Sequence, residues 1–236
     1  MYTFVGMRYN TIFIDLDNTI WDFETNSRNS LSYCFDKFNY QNFFPDFETF
    51  YQIYHQHNNT LWGLYREAKI TKHVLNRERF LFPLQSIGIE NKTLAQSFGE
   101  NYLETLSVQS ILIDGAYDLL CYLKEKNYHL FILSNGFEEV QTKKMQSANI
   151  IDFFDGIILS DYIGYNKPHK KIFEFALQKA NVKKENTIMI GDDWEADIVG
   201  AKNMGIDQIF FNRTNILTPF APTYEVNHIS MIKKLL

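Results

Sequence analysis

Hydrophobic positions along this chain follow two rhythms. From Tyr9 to Asp17 the residues are apolar with little interruption, which predicts a strand buried on both faces of a parallel sheet. From Asn26 to about Ser107 the spacing becomes helical. "SRNSLSYCFDKF", "DFETFYQIYHQHNNTLWGLYREA", "TKHVLNRERFLFPLQSIG" and "KTLAQSFGENYLETL" each carry apolar residues on one face, with Asp46 and Thr71 placed as N-caps. After Asp114 the rhythms alternate. A helix near Ala116 to Lys126 precedes strand "YHLFILS", a helix from Glu138 precedes "GIILS", "KIFEFALQKA" precedes "TIMIG", and "ADIVGAKNM" precedes "QIFF".

Such βα alternation implies a parallel sheet with right-handed crossovers. The first strand belongs to the same pattern, so the helical block reads as an insertion. The expected architecture is α/β: a Rossmann-like three-layer core from 1–18 and 108–236, with an α-helical cap from 19–107.

Composition narrows the class. With 236 residues, 45% of them hydrophobic and 16% aromatic, the chain can bury a sizeable core. No apolar run is long enough to span a bilayer and "MYTFVGMRYN" lacks signal-peptide features, so a cytoplasmic protein without a membrane partner is expected. Cys34 and Cys121 read as ordinary buried thiols. A net charge of −5 without a basic stripe argues against a nucleic-acid polymer as partner, while leaving room for a small anion. The sequence leaves the oligomeric state open.

Candidate chemistry gathers where the predicted strands end. "DLDNT" (Asp15 to Thr19), "SNG" (Ser134 to Gly136), "NKP" (Asn166 to Pro168) and "GDDWEAD" (Gly191 to Asp197) supply carboxylates, a hydroxyl, helix-start amides and a lysine, a set suited to a divalent cation and a phosphate. Each piece also has an ordinary explanation. Asp15 and Asp17 could cap a turn, Asp192, Asp193 and Asp197 could oppose a helix dipole, and Lys167 could be a solvated lysine. No one of these explains the coincidence at successive strand ends. His55 and His57 lie two apart on a helix and face different ways, which disfavours a metal pair.

The order DxDxT, S/T-N-G, K-P, GDxxxxD resembles the haloacid dehalogenase-like hydrolase superfamily, and the helical block resembles its α-helical cap. The resemblance implies a Mg²⁺-dependent phosphatase with Asp15 as nucleophile and Asp17 as acid/base. It implies Ser134, Asn135 and Lys167 as phosphate ligands, Asp15, Asp17 (through its carbonyl) and Asp192 as metal ligands, and Asp193 or Asp197 as outer support. The dehalogenase branch lacks an aspartate at the position of Asp17, so its presence points to phosphate. "LWGLYREAKIT", "SNGFEEVQ" and "GYNKPHKKIFEFAL" are similar to the pyrimidine nucleoside 5'-monophosphatases, which implies a nucleoside monophosphate as the small phosphorylated partner. A sugar-phosphate phosphatase, a phosphomutase or a non-catalytic binding protein of the same fold are the alternatives. Asn58, Trp62 and Arg66, four apart on one helical face, offer an amide, a stacking surface and a cation for substrate choice. The competing view has Trp62 in the helical core with Asn58 and Arg66 at its solvated margin.

Overall fold

The structure, a computed structural model, describes residues 8–236. The chain divides into two compact units, one holding the chain up to Phe23 together with Ser110–Leu236, the other Glu24–Gln109.

The first unit is built on a parallel sheet of β1 (Thr11–Ile14), β2 (His129–Ser134), β3 (Gly156–Leu159), β4 (Thr187–Gly191), β5 (Asp207–Phe211) and β6 (Tyr224–Val226), in the order β3-β2-β1-β4-β5-β6. β1 is central, with Ile14 level with Ile132 on one side and Ile190 on the other. The chain therefore builds outward from β1 in one direction and then returns to build in the other. That reversal opens a crevice at the carboxyl ends of β1, β2 and β4, where open α/β sheets bind ligands.

Phe13, Phe131, Leu133 and Met189 pack in one cluster with Ile172, Phe173 and Ala176 of α7 (Lys170–Ala180). By strand alternation Ile12, Ile14, Leu130, Ile132, Ile188 and Ile190 point the other way, and all are fully buried. The sheet is thus covered on both faces and flanked by helices, as its continuous apolar strands require.

The second unit is helical: α1 (Phe23–Lys37, whose first residue belongs to the first unit), α2 (Phe47–Arg66), α3 (Lys72–Gln85) and α4 (Lys92–Ser107). Asp46 and Thr71 cap as the sequence predicts, accepting hydrogen bonds from the Thr49 and Val74 amides at 2.7 and 3.3 Å. Its interior is aromatic. Tyr40 and Phe98 have centroids 4.5 Å apart, and Phe50 and Phe80 stand 5.5 and 5.7 Å from Phe98.

Several details depart from the sequence pattern. β1 stops at Ile14 rather than running through Asp17, and Tyr9 precedes it, giving its hydroxyl to Asp207 at 2.8 Å. The stretch read as one helix after "GDDWE" is a π-helical segment, Trp194–Val199, followed by the short α8 (Gly200–Met204). β6 has no counterpart in the periodicity. Cys34 is buried, and burial pushes its thiol pKa up to about 11, but Cys121 is exposed, against the expectation of two buried thiols. Among the described residues no helix is long and apolar enough to cross a membrane.

Candidate active site

β1 ends because the backbone leaves the sheet at Asp15. The Asp15 amide still donates to the Ile190 carbonyl at 2.9 Å, but the next residues form a tight turn in which the Ile20 and Trp21 amides both donate to the Leu16 carbonyl and Asn18 takes a left-handed φ of 61°. This turn separates the two carboxylates. Asp15 stays in the crevice under β4, while Asp17 faces α6 (Glu138–Ser147). Asp17 lies past the end of the strand, on the turn, and its charge still acts on Asp15.

Lys167 organises the Asp15 side. Its Nζ, almost fully buried, donates to Asp15 Oδ1, Asp197 Oδ1 and the Leu133 carbonyl, each at 2.6 Å. Three acceptors match the three ammonium protons, so this is no surface lysine. Burial pulls the Lys167 pKa down, yet Asp15 and Asp197 outweigh it and the net direction is up. Its backbone is held as well. Asn135 Oδ1 accepts from the Lys167 amide at 2.7 Å and Asn135 Nδ2 donates to the Lys167 carbonyl at 3.0 Å. The Asn135 side chain thereby fastens the end of β2 to the backbone of Lys167. The Lys167–Pro168 peptide is cis.

Asp197 is fully buried with both oxygens engaged, Oδ1 by Lys167 and Oδ2 by the Asp193 amide at 3.1 Å. A side chain at Gly191 would collide with that carboxylate, so the glycine ending β4 is what admits it. Asp193 caps the π-helical segment by accepting from the Ala196 amide at 2.9 Å. Asp192 turns toward β1 and accepts from the buried Thr19 hydroxyl at 3.0 Å.

Carboxylate oxygens of Asp15, Asp192 and Asp197 all lie within 4.8 Å of one another. Burial lifts the Asp15 carboxyl well above the usual carboxylate range, with Asp197, Asp192 and Asp17 adding to it against Lys167. Burial likewise lifts Asp192, to about 7, helped by the Asp197 charge, and raises Asp197. One lysine does not balance three such groups. A hard divalent cation with oxygen ligands fits this donor set, and because Asp197 already has both oxygens hydrogen-bonded, Asp15 and Asp192 are the side chains best able to ligate it.

Ser134 ends β2 with its side chain inward. Its Oγ accepts from the Gly136 amide at 3.0 Å and from Gln141 Nε2 at 2.9 Å. Both acceptor positions of the hydroxyl are thereby used, which leaves its proton to donate. Gly136 matters for the same reason as Gly191, since a Cβ there would strike the Gln141 amide.

Thr19, the threonine of DxDxT, belongs to this constellation, as do two residues outside the sequence-derived set, Gln141 and Lys144. Gln141 Nε2 donates to Asp17 Oδ2 at 2.8 Å, and Lys144 Nζ to Asp17 Oδ1 at 2.7 Å. Their sequence signal was slight. On α6 the apolar residues Val140 and Met145 mark the inward stripe, and helical spacing puts Gln141 and Lys144 on it beside them.

In the second unit, the stripe Asn58, Trp62, Arg66 rises steadily in exposure from buried to exposed. Asn58, not Trp62, is the buried member, so a solvated margin does not describe it. Its Oδ1 has no hydrogen-bond partner among the described residues, nor has Nε of the neighbouring helix's Arg79, a buried guanidinium over the Phe80 and Tyr102 rings. His57 stacks on Phe82 and His55 on Tyr51, so the two histidines do face different ways.

Comparison with known proteins agrees with this geometry. The model of the haloacid dehalogenase-like hydrolases matches residues 9–205, and the chain belongs to that family. The magnesium-bound crystal structure of YfnB from Bacillus subtilis superposes with a TM-score of 0.87 at 29% identity, covering 97% of this chain and 99% of that one. Pyrimidine 5'-nucleotidase PynA of Streptococcus pneumoniae is 30% identical over 93% of this chain and 92% of its own length. Pyrimidine 5'-nucleotidase YjjG of Escherichia coli is 28% identical over 98% and 99%. Family and relatives together support a phosphoric monoester hydrolase.

Proposed function

We propose that this protein is a Mg²⁺-dependent phosphatase that works through a phosphoaspartate on Asp15 and takes nucleoside 5'-monophosphates, pyrimidine ones foremost. The observation that carries the chemistry is the buried junction of Asp15, Lys167 and Asp197 beside Ser134 and Asp192. The substrate class rests on the two nucleotidases that match this chain over nearly its whole length.

Lys167 engages Oδ1 of Asp15 and leaves Oδ2 to attack phosphorus. As the new O–P bond forms, the ester O–P bond breaks and Asp17 gives its proton to the leaving oxygen. In the second step Asp17 takes a proton from water, whose oxygen attacks phosphorus, and the bond to Asp15 breaks to release phosphate. The Ser134 hydroxyl and the main-chain N–H of Asn135 hold the equatorial oxygens through both steps, and the Lys167 ammonium, whose protons go to Asp15, Asp197 and the Leu133 carbonyl, contributes its charge to the phosphate site. Mg²⁺ would be held by Asp15, Asp192 and the Asp17 carbonyl, with Asp193 and Asp197 in support, and would supply charge neutralisation for phosphate and carboxylates.

The helical unit serves in this reading as a cap that selects the leaving group, with Asn58, Trp62 and Arg66 as its specificity stripe. The unsatisfied Asn58 carbonyl supports that reading, because a buried acceptor without a partner costs free energy that a ligand N–H would recover. A panel of UMP, dTMP, purine monophosphates and sugar phosphates, assayed for inorganic phosphate with Mg²⁺ and with chelator, tests the assignment. Preference for UMP and dTMP with loss of turnover in chelator supports it. Preference for sugar phosphates moves the substrate class, and no phosphate release from any ester removes the function.

A further inference from the structure

We propose that Lys144, assisted by Gln141, is the positioning residue for the Asp17 carboxylate: a buried clamp on α6 that sets the direction in which the acid/base arm meets the reacting oxygen. The inference rests on the phosphatase reading above.

The geometry is specific. Lys144 Nζ lies 2.7 Å from Asp17 Oδ1 and Gln141 Nε2 lies 2.8 Å from Asp17 Oδ2, so each carboxylate oxygen has its own donor and the group cannot rotate about its Cβ–Cγ bond without breaking one. The clamp is itself fixed. The Lys144 side chain is only 3% exposed, and its ammonium sits 4.3 Å from the Trp21 ring centroid and 5.3 Å from that of Phe23. Trp21 closes the same turn that carries Asp17, so carboxylate and cation are held on one scaffold. Gln141 shares its amide between Asp17 and the Ser134 hydroxyl, which ties the acid/base arm to the candidate phosphate-binding serine.

A lysine serving only to pin α6 to the turn needs no such registry. Salt bridges made for packing alone are often replaceable by apolar groups of similar volume, and Lys144 already lies against two aromatic faces that would receive one. What the ammonium adds is direction. Proton transfer demands that the donor oxygen stand within hydrogen-bond reach of the leaving oxygen, and then of the attacking water.

The test uses Lys144→Met, which keeps length and apolar contact but removes the donor, beside Lys144→Arg, which keeps a cationic donor. For UMP, Lys144→Met lowers kcat by between about tenfold and about 10²-fold with KM changed less than about threefold, the scale of a misplaced catalytic group. With p-nitrophenyl phosphate, whose leaving group needs little protonation, formation of the phosphoenzyme is spared while its hydrolysis is not. Acid quenching at steady state then traps more labelled protein than the parent does. Lys144→Arg recovers at least part of kcat and abolishes the build-up. Lys144→Gln, a neutral donor of shorter reach, gives the same readouts where the Met variant does not fold.

The proposal is overturned if kcat stays within about twofold of the parent. It is overturned equally if kcat falls only in step with melting temperature and no phosphoenzyme accumulates. A parent protein that hydrolyses no phosphate ester removes the function and this inference together, whereas a parent and a Lys144→Met variant that turn over alike remove this inference alone.

Discussion

Two lysines are buried in the first unit, each against one of the carboxylates that follow β1, and they are wired differently. Lys167 has three oxygen acceptors: two carboxylates and a main-chain carbonyl. Lys144 donates to one carboxylate, that of Asp17, and lies against the Trp21 and Phe23 rings. Loss of Asp15 therefore leaves Lys167 with Asp197, while loss of Asp17 takes from Lys144 the carboxylate that meets it at 2.7 Å. The Asp15 side is built to keep its framework when one charge changes form, as a group that becomes phosphorylated requires. The Asp17 side is built to aim a single group.

Substitution breaks this comparison most sharply at Asp15. Asp15→Asn cannot form an acyl phosphate, so phosphate release should fall below the assay floor, a loss of at least about 10³-fold. Its melting temperature should stay close to the parent's, because Lys167 keeps Asp197. Asp17→Asn should slow turnover by about 10²-fold to 10⁴-fold, the range of a general acid/base, and should melt lower than Asp15→Asn because it weakens the hold on a buried ammonium. Equal melting temperatures for the two variants would contradict the difference in wiring. Residual turnover at Asp15→Asn by a folded protein would contradict covalent catalysis.

A smaller effect follows from the carboxyl cluster. Burial and mutual repulsion raise the folded-state pKa of Asp15, Asp192 and Asp197, Asp192 from 3.8 to about 7. Between those values the folded protein binds more protons than the unfolded chain, so the stability of metal-free protein falls as pH rises from about 4 to about 7. Lys167 is shifted the opposite way for its charge type and stays protonated throughout this window. Mg²⁺ competes with these protons, so it should raise the melting temperature more at pH 7.5 than at pH 5. A flat metal-free profile, with equal Mg²⁺ shifts at both values, would remove the cluster as a metal site.

The smallest effect concerns the helical unit. Trp62→Ala should lower kcat/KM for UMP by about 1–3 kcal/mol, the scale of base stacking on an aromatic side chain, and lower p-nitrophenyl phosphate hydrolysis less. Parallel losses for both substrates, together with a lower melting temperature, would mark Trp62 as a core residue.

These contrasts also show what the sequence could reveal. Asp15, Ser134, Lys167 and Asp192 were legible because each interrupts or follows an apolar strand, where a polar residue needs a reason, and because the topology brings strand ends together. The caps at Asp46 and Thr71 were legible because capping is a local interaction. Lys144 was not, since a lysine in "EEVQTKKM" looks like a solvated one and its partner lies 127 residues away. The early end of β1 escaped for a related reason: Leu16 keeps the apolar pattern going although the backbone has already turned. The π-helical segment was hidden because it shares the apolar spacing of an ordinary helix, and β6, at three residues, is too short for periodicity to show.

The central claim is that phosphate passes through Asp15, and acid-quench trapping with a phosphate ester carrying labelled phosphorus tests it most directly. In the presence of Mg²⁺, the parent should carry a small fraction of covalent label and Asp17→Asn a larger one, on a peptide that contains Asp15. Asp15→Asn should carry none. Label retained by folded Asp15→Asn, or steady turnover by the parent with no label in either the parent or Asp17→Asn, would contradict the account.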